Sequence, residues 1–454
     1  MGTTFKLRRH ATDGSNGIKI AQGRVPSNYY PGDFEFISQK NSSGSYTLYV
    51  IVHIYIEDYL YGVLPYEMGN SSGLEALKAQ AVAARTYTMR AMSGSTGRSY
   101  DVVDTTSDQV YSGTPSGNAN CKSAVDATKG IVSKNGSAFT ATYYSASNGG
   151  QTEAVKNAWG STSYPYLKVK DDPYDLANPA SKKNSFTVKS SGTQDNSTLQ
   201  SLLNNKAAAK FGAGAKVTGV TAITPHTPKY PSPSKLYTKM DFSVRYTLNG
   251  STSSGTLTFD IFNELEAPLG MSINSGSNEL WSVSETANGF TVYSRRYGHG
   301  LGMSQRGAMY MAQLGYTYDQ ILAFYFEGCT RVQYTFTRKI LSPVIGGQES
   351  SEETIVEKPA DLEQESDYQG ITLYKTPLLD QPGSSANSLT TLPAGAKVQV
   401  CAKTGEYYLV TYGSLCGYVN ISDVSHDGAV SGPSGQCFRP AQAGQRGSGP
   451  VLCS

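Results

Sequence analysis

The chain has 454 residues, room for two or three domains. Its 38 Lys and Arg nearly balance 36 Asp and Glu, a net charge of +2 that argues against the concentrated basic stripe of a nucleic-acid binder. Charged residues make up only 16% while Gly (47) and Tyr (32) abound, which suits an extracellular, β-rich, carbohydrate-facing surface better than a cytosolic metabolic enzyme.

No apolar run approaches the ~20 residues of a membrane helix, so no transmembrane segment is expected. Residues 1–16 lack the apolar core of a signal peptide, so if the protein is exported its signal is expected to lie outside this chain. The six cysteines form no CxxC pair, which removes zinc-ribbon and thioredoxin-type readings. Cys401/Cys416 and Cys437/Cys453 are each spaced to close a short loop, as disulfides of an oxidising compartment do.

Residues 1–45 are polar and turn-rich, with one possible strand at Asp33–Ile37. From Tyr46 to Ile56 apolar residues occupy both alternating sets, the pattern of a strand buried on both faces or nearly so, with His53 structural. A short loop carrying Pro65 and Glu67 is expected next. Ser72 and Glu75 then read as a capping box opening a helix that stops near Gly94. On that helix Lys78 and Arg85, seven residues apart, share one face. A carboxylate before a helix that presents two cations can do acid–base chemistry. On spacing alone, a solvated loop acid beside ordinary helix surface is the commoner outcome.

A loop, Asp104–Gly113, and a helix near Asn118–Thr128 follow, then a hairpin turning at Asn135-Gly136. The hairpin delivers the Gly-rich segment Tyr143–Thr152, whose glycines allow close backbone approach to a ligand. Trp159, Tyr164, Tyr166 and Tyr174 come soon after; in a polar, Gly-rich context such aromatics serve either packing or sugar stacking. A helix is expected near Thr198–Lys210. Gly298-His299-Gly300-Leu301-Gly302-Met303-Ser304-Gln305 opens another helix, and Thr317 with Gln320 caps the next. No GxxxxGK[ST] is present, which disfavours a nucleotide site. Pro343–Gly370 carries eight acids against one Lys and reads as a linker, with short strands from Ile371 to Val424 beyond it.

Three segments, taken together, resemble the family of stage II sporulation protein D and its relative LytB, the amidase enhancer. They are Tyr59–Met68 with Glu75–Tyr87, Tyr144–Glu153 with Trp159-Gly160, and Gly298–Gln305 with Gly307-Ala308. The match runs in the family's order from about Tyr46 to Thr335. Residues 371–425 are similar to bacterial SH3-like wall-binding domains, with Tyr407, Tyr408 and Tyr418 where such domains often carry Trp.

The resemblance implies an α+β protein: a mixed-sheet catalytic domain with packed helices at 46–340, after an N-terminal polar segment at 1–45. An acidic linker at 341–370, a small all-β SH3-like barrel at 371–425 and a flexible tail at 426–454 complete the expected organisation. The implied activity is a lytic transglycosylase that cuts peptidoglycan glycan strands stripped of stem peptides. Glu67 corresponds to the catalytic glutamate, and Lys78, Arg85, Gln109, Tyr166, His299, Ser304 and Gln305 would lie in or near the cleft.

Such an enzyme can work with one acid, because a sugar hydroxyl replaces water. A hydrolase needs a second carboxylate, for which Asp172 is the first candidate. Some relatives bind zinc through His and Cys in the segment corresponding to Tyr143–Thr152. Here that segment holds neither residue type, so no metal and no cofactor is expected. Peptidoglycan strands and a cell-wall amidase are the implied partners, outside the cell or in its envelope. A non-catalytic amidase enhancer and a plain wall anchor are the rival readings.

Overall fold

The computed structural model describes residues 4–7, 17–21, 23–40, 43–95, 99–340, 353–356, 368–383, 386–413 and 415–426, and the chain divides into two units, 1–356 and 357–454. In the first, β1 (Thr4–Leu7), β2 (Gly32–Lys40) and β3 (Tyr46–Ile54) form an antiparallel sheet. Residues 1–45 thus supply two strands, of which β2 pairs with β3 and β1 with β2. That strand is not buried on both faces: Leu48 and Val50 are 61% and 49% exposed. Phe34, Val52 and Ile54 pack on the core, while the Tyr46 half of the strand is exposed. An apolar pattern on two faces cannot show whether a layer covers each. His53 pairs with Glu35 at 2.8 Å.

The next segment is helix α1 (Ile56–Glu67) rather than the expected loop, with Glu57 and Asp58 complementing the dipole of its first turn. Pro65 lies inside it. Proline has no N–H to give the carbonyl four residues back, and the side-chain amide of Asn118 donates to the Tyr61 carbonyl instead, at 2.9 Å.

Helix α2 (Leu74–Gly94) is buried along much of its length. Its N-cap is Gly73 and the Ser72 hydroxyl donates to the Met68 carbonyl, so the expected capping box does not form. Glu75 instead binds Lys78 at 2.7 Å and accepts the Tyr318 N–H at 2.7 Å. Ala76, Ala79, Ala81, Ala83 and Ala84 are fully buried, and such small side chains let α1 and α3 (Ala119–Ala127) pack closely around α2.

Hairpin β4 (Ile131–Asn135) and β5 (Ala138–Phe139) follows, with Gly136 in the left-handed region its turn requires. Then come β6 (Tyr144–Ser145), α4 (Val155–Trp159) and α5 (Pro173–Ala177).

The chain now leaves this core to build a second. Strands β7 (Lys183–Lys189), β8 (Lys216–Pro228), β9 (Tyr237–Leu248), β10 (Ser251–Asp260), β11 (Leu280–Thr286) and β12 (Gly289–Arg295) make two antiparallel sheets, ordered β10-β9-β8 and β11-β12-β7. With α6 (Ser197–Phe211) they enclose Phe242, Phe259 and Trp281. On its return the chain adds β13 (Met303–Ser304), parallel to β6, then α7 (Gln305–Gln313) and α8 (Tyr318–Tyr325). Thr317 and Gln320 cap α8 as their spacing leads one to expect. β14 (Thr330–Gln333) pairs with β4, and β15 (Thr337–Ile340) with β16 (Glu353–Val356), which puts a strand inside the stretch read as linker.

The second unit is a seven-stranded antiparallel sheet of β17 (Tyr368–Thr372), β18 (Thr376–Leu379), β19 (Ser388–Leu392), β20 (Lys397–Thr404), β21 (Tyr407–Tyr412), β22 (Leu415–Asn420) and β23 (Val424–His426). Leu378, Val398, Val400, Val410 and Val419 form its core. The α+β class holds. Among the described residues, however, the sheet runs from β19 to β23 without closing, and the first unit has several small sheets instead of one mixed sheet. Of the residues read as a tail, His426 ends β23, while 427–454 and the side chains of both expected cysteine pairs lie outside the described residues. No helix among those described is long and apolar enough to cross a membrane.

Arg85 and Glu57 tie this architecture together, and both are almost wholly removed from solvent. Truncating one member of such a pair leaves a buried charge unpaired, which costs about 3–5 kcal/mol. Arg85→Met is therefore expected to lower unfolding free energy by about that amount, read by urea denaturation. Arg85→Lys should recover little, because an ammonium lacks the planar fork that reaches both the carboxylate and the neighbouring carbonyls.

Candidate active site

Glu67 is the last residue of α1, half-buried between two other segments. The backbone N–H of Val110 donates to its Oε1 at 2.9 Å. The side-chain amide of Gln305, first residue of α7, reaches its Oε2 at 3.4 Å. Burial pushes the carboxyl above its ordinary value, while these two donors favour the charged form and oppose that shift. Both donors are neutral. Among the described residues no ion pair holds the acid, so no fixed cation opposes the upward shift that burial gives it.

The two cations expected to face it are engaged elsewhere. Lys78 pairs with Glu75. Arg85 is buried, its guanidinium gripping Glu57 (Nε to Oε1 2.9 Å, Nη2 to Oε2 2.6 Å) and donating to the Ile131 carbonyl at 3.0 Å. Seven residues on one helix put both on a common face, but the packing partners of that face decide what each one meets.

Gln109 lies in a hydrogen-bond network beside Glu67. Its amide nitrogen donates to the Ala84 carbonyl at 3.3 Å and the Tyr144 hydroxyl at 2.9 Å, and its oxygen accepts from the hydroxyls of Tyr59 and Thr88. The Ala84 carbonyl can only accept, which fixes the orientation of the amide. Gln109 is thus a wholly buried spacer, and Tyr144 is the group it holds up. Burial first, then the charge of Glu67, raises the Tyr144 hydroxyl well above its usual pKa, keeping it a protonated donor. Tyr144 and the Val110 N–H were not singled out from sequence. A backbone N–H leaves no residue signal, and one Tyr among 32 has none of its own.

The third motif contributes mostly scaffolding. Ser304 is buried, and its hydroxyl caps α7 by accepting the Gly307 N–H at 3.0 Å. His299 accepts the Leu301 N–H at Nδ1 (2.9 Å) and donates to the Tyr144 carbonyl, and burial drives its pKa down to about 4. It is a neutral ring with both nitrogens occupied, so it can offer a ligand a ring edge or face but no proton. Gly302 has φ +65°, and a Cβ there would sit 2.1 Å from the Tyr143 carbonyl oxygen; its absence lets β13 lie along β6. Tyr166 is not brought to Glu67 by any contact seen here. Its hydroxyl accepts the Ala141 N–H at 2.7 Å, and the ring lines a small pocket with Lys168, Lys170 and Phe324.

The Gly149-Gly150 turn likewise serves the interior: the Gly149 N–H donates to Asp175 at 2.6 Å and the loop packs against Arg296. Asp172 is fully buried and accepts from Tyr174 N, Asp175 N, the Asn148 amide and the Tyr325 hydroxyl. With its oxygens so engaged, it is not placed to activate a water.

The family model described as Stage II sporulation protein matches residues 45–134. The chain is 36% identical over 295 residues to the amidase enhancer of Bacillus subtilis (strain 168), covering 61% of this chain and 40% of that one. It is 32% identical over 298 residues to stage II sporulation protein D of the same organism, covering 61% of this chain and 74% of the relative. An uncharacterized protein of Brachyspira hyodysenteriae is 31% identical over 319 residues, 70% and 76% of the two chains. The chain thus spans well under half the length of the amidase enhancer but about three quarters of the other two.

A carboxyl whose folded-state pKa is raised destabilises the fold at high pH. The penalty is absent below the unfolded value near 4.3 and complete above the folded value. Glu67→Gln is therefore expected to raise the melting temperature at pH 7, with the difference from wild type vanishing as pH falls through the ordinary carboxylate range. Paired thermal melts across pH check this; equal melting temperatures at pH 7 would mean the carboxyl carries no burial penalty.

Proposed function

The chain belongs to the stage II sporulation protein D family, and from that premise we propose that it is a lytic transglycosylase acting on peptidoglycan glycan strands already stripped of their stem peptides. The observation that supports this most is the Glu67 carboxyl, half-buried, raised in pKa by desolvation and held by two neutral donors. In the proposed reaction Glu67 gives its proton to the glycosidic oxygen as the bond from that oxygen to the muramic C1 breaks. The C6 hydroxyl of the same muramic ring then bonds to C1, and its proton passes to the Glu67 carboxylate. The cycle restores the acid, consumes no water and leaves an anhydromuramoyl end. One acid suffices, in keeping with the internal engagement of Asp172. Tyr144, as a fixed neutral hydroxyl beside Glu67, would orient a polar group of the bound sugar.

A second reading is favoured by one relative's name: the chain binds wall and enhances an amidase without cutting. In either case its setting is the cell envelope or beyond, and its partners are glycan strands and a cell-wall amidase. For the unit 357–454 we propose an SH3-like wall-binding role, adding affinity by tethering and no chemistry.

Glu67→Gln keeps shape and removes the exchangeable proton. Since general acid–base catalysis contributes about 10²–10⁴-fold, turnover of denuded strands should fall by roughly that factor while glycan binding changes little. Mass spectrometry of wild-type digests should find anhydromuramoyl ends and no new reducing ends; reducing ends would mean a hydrolase. A wild-type protein that cuts nothing but speeds release by added amidase would establish the enhancer reading. A protein ending at Val356 should keep its rate on short soluble glycans and sediment less with whole sacculi, and equal sedimentation would end the tethering proposal.

A further inference from the structure

Of the two tryptophans, Trp281 is buried in the second core, 2% exposed, whereas Trp159 is 50% exposed at the end of α4. Its indole is nevertheless not loose. Tyr143 meets it edge-on with centroids 4.7 Å apart, and His299 lies tilted at 5.3 Å. His299 is itself pinned through both ring nitrogens. A large apolar ring held rigidly on two sides and left open elsewhere is preorganised for a flat apolar ligand face, with little ordering entropy still to lose.

The surroundings restrict what that ligand is. The next four residues, Gly160-Ser161-Thr162-Ser163, are mostly exposed and carry three hydroxyls. A positive charge already stands beside the platform: the Arg90 guanidinium sits 5.6 Å from the Tyr143 centroid and 4.9 Å from that of Tyr164, and donates to both hydroxyls. A second cation would meet that charge. What fits is a neutral ring with an apolar face and a polar rim, which describes the C–H face and hydroxyl edge of a pyranose.

Tyr143 and Tyr144 are neighbours in sequence. Tyr144 joins the Gln109 network beside Glu67, while Tyr143 reaches Trp159. Adjacent residues of one segment thus serve two places, Tyr144 beside the carboxyl and Tyr143 against the indole.

We propose that Trp159, braced by Tyr143 and His299, is a stacking platform for a pyranose of a glycan strand other than the one that reacts at Glu67. This rests on the glycan reading above and adds where a non-reacting sugar is gripped. The test uses the full-length Glu67→Gln protein, so that strands are not consumed, with a β-1,4-linked N-acetylglucosamine hexamer as probe. Only Trp159 is exposed enough to respond, so saturation should shift emission to shorter wavelength and reduce quenching by acrylamide. Adding Trp159→Phe should abolish that response and weaken hexamer binding, followed by calorimetry, roughly two- to tenfold. Hexamer binding with unchanged emission and equal affinity in the Phe variant would overturn the platform, as would no binding, or the same shift produced by tetramethylammonium. If wild type shows the emission change but cuts no denuded strand, the cleavage reading fails and the platform stands.

Discussion

The pairing of Glu57 with Arg85 is the constraint on which the first unit depends. Two charges are taken out of water, and neither could remain there half-satisfied. Glu57 also accepts the Gly130 N–H, and Arg85 reaches the carbonyls of Ile131 and Val125, so one ion pair registers α1, α2, α3 and β4 against each other. That registration aims the last turn of α1. Ten residues separate Glu57 from Glu67 on a single helix, so fixing the first acid at its start fixes where the second emerges at its end.

The two glutamates of that helix have opposite environments. Glu57 has a guanidinium and a backbone N–H and is a structural anion. Glu67 has only an amide and a backbone N–H, which leaves the burial penalty partly unanswered. Local stability is given up at Glu67 for a proton that can move, and Glu57 is among the interactions that offset it.

A second buried polar hub joins the two cores of this unit. Arg296, the residue after β12, donates to the carbonyls of Asn148 and Gln151 and faces Glu153 at 3.5 Å. Asp175 accepts from Ser147, Gly149 and Ser181 beside it. The Gly-rich turn at Gly149 is a packing requirement, since a Cβ there would stand 2.8 Å from the backbone nitrogen of Arg296.

By itself the sequence determined the α+β class, the helices from Leu74, Ser197 and Tyr318, the Thr317–Gln320 cap and the family, because these depend on local periodicity, capping chemistry and ordered motifs. It also pointed to Glu67 and Gln305, which the fold brings within 3.4 Å although 238 positions separate them. It could not show that Pro65 lies within a helix, since that needs Asn118 from a distant segment to satisfy the Tyr61 carbonyl. Nor could it assign Arg85, Ser304 and His299, whose side chains are spent on Glu57, a helix cap and the Tyr144 backbone. Helical spacing states which residues share a face. Only tertiary packing decides whether that face meets solvent, a substrate or a buried counter-charge, because the partner comes from elsewhere in the chain.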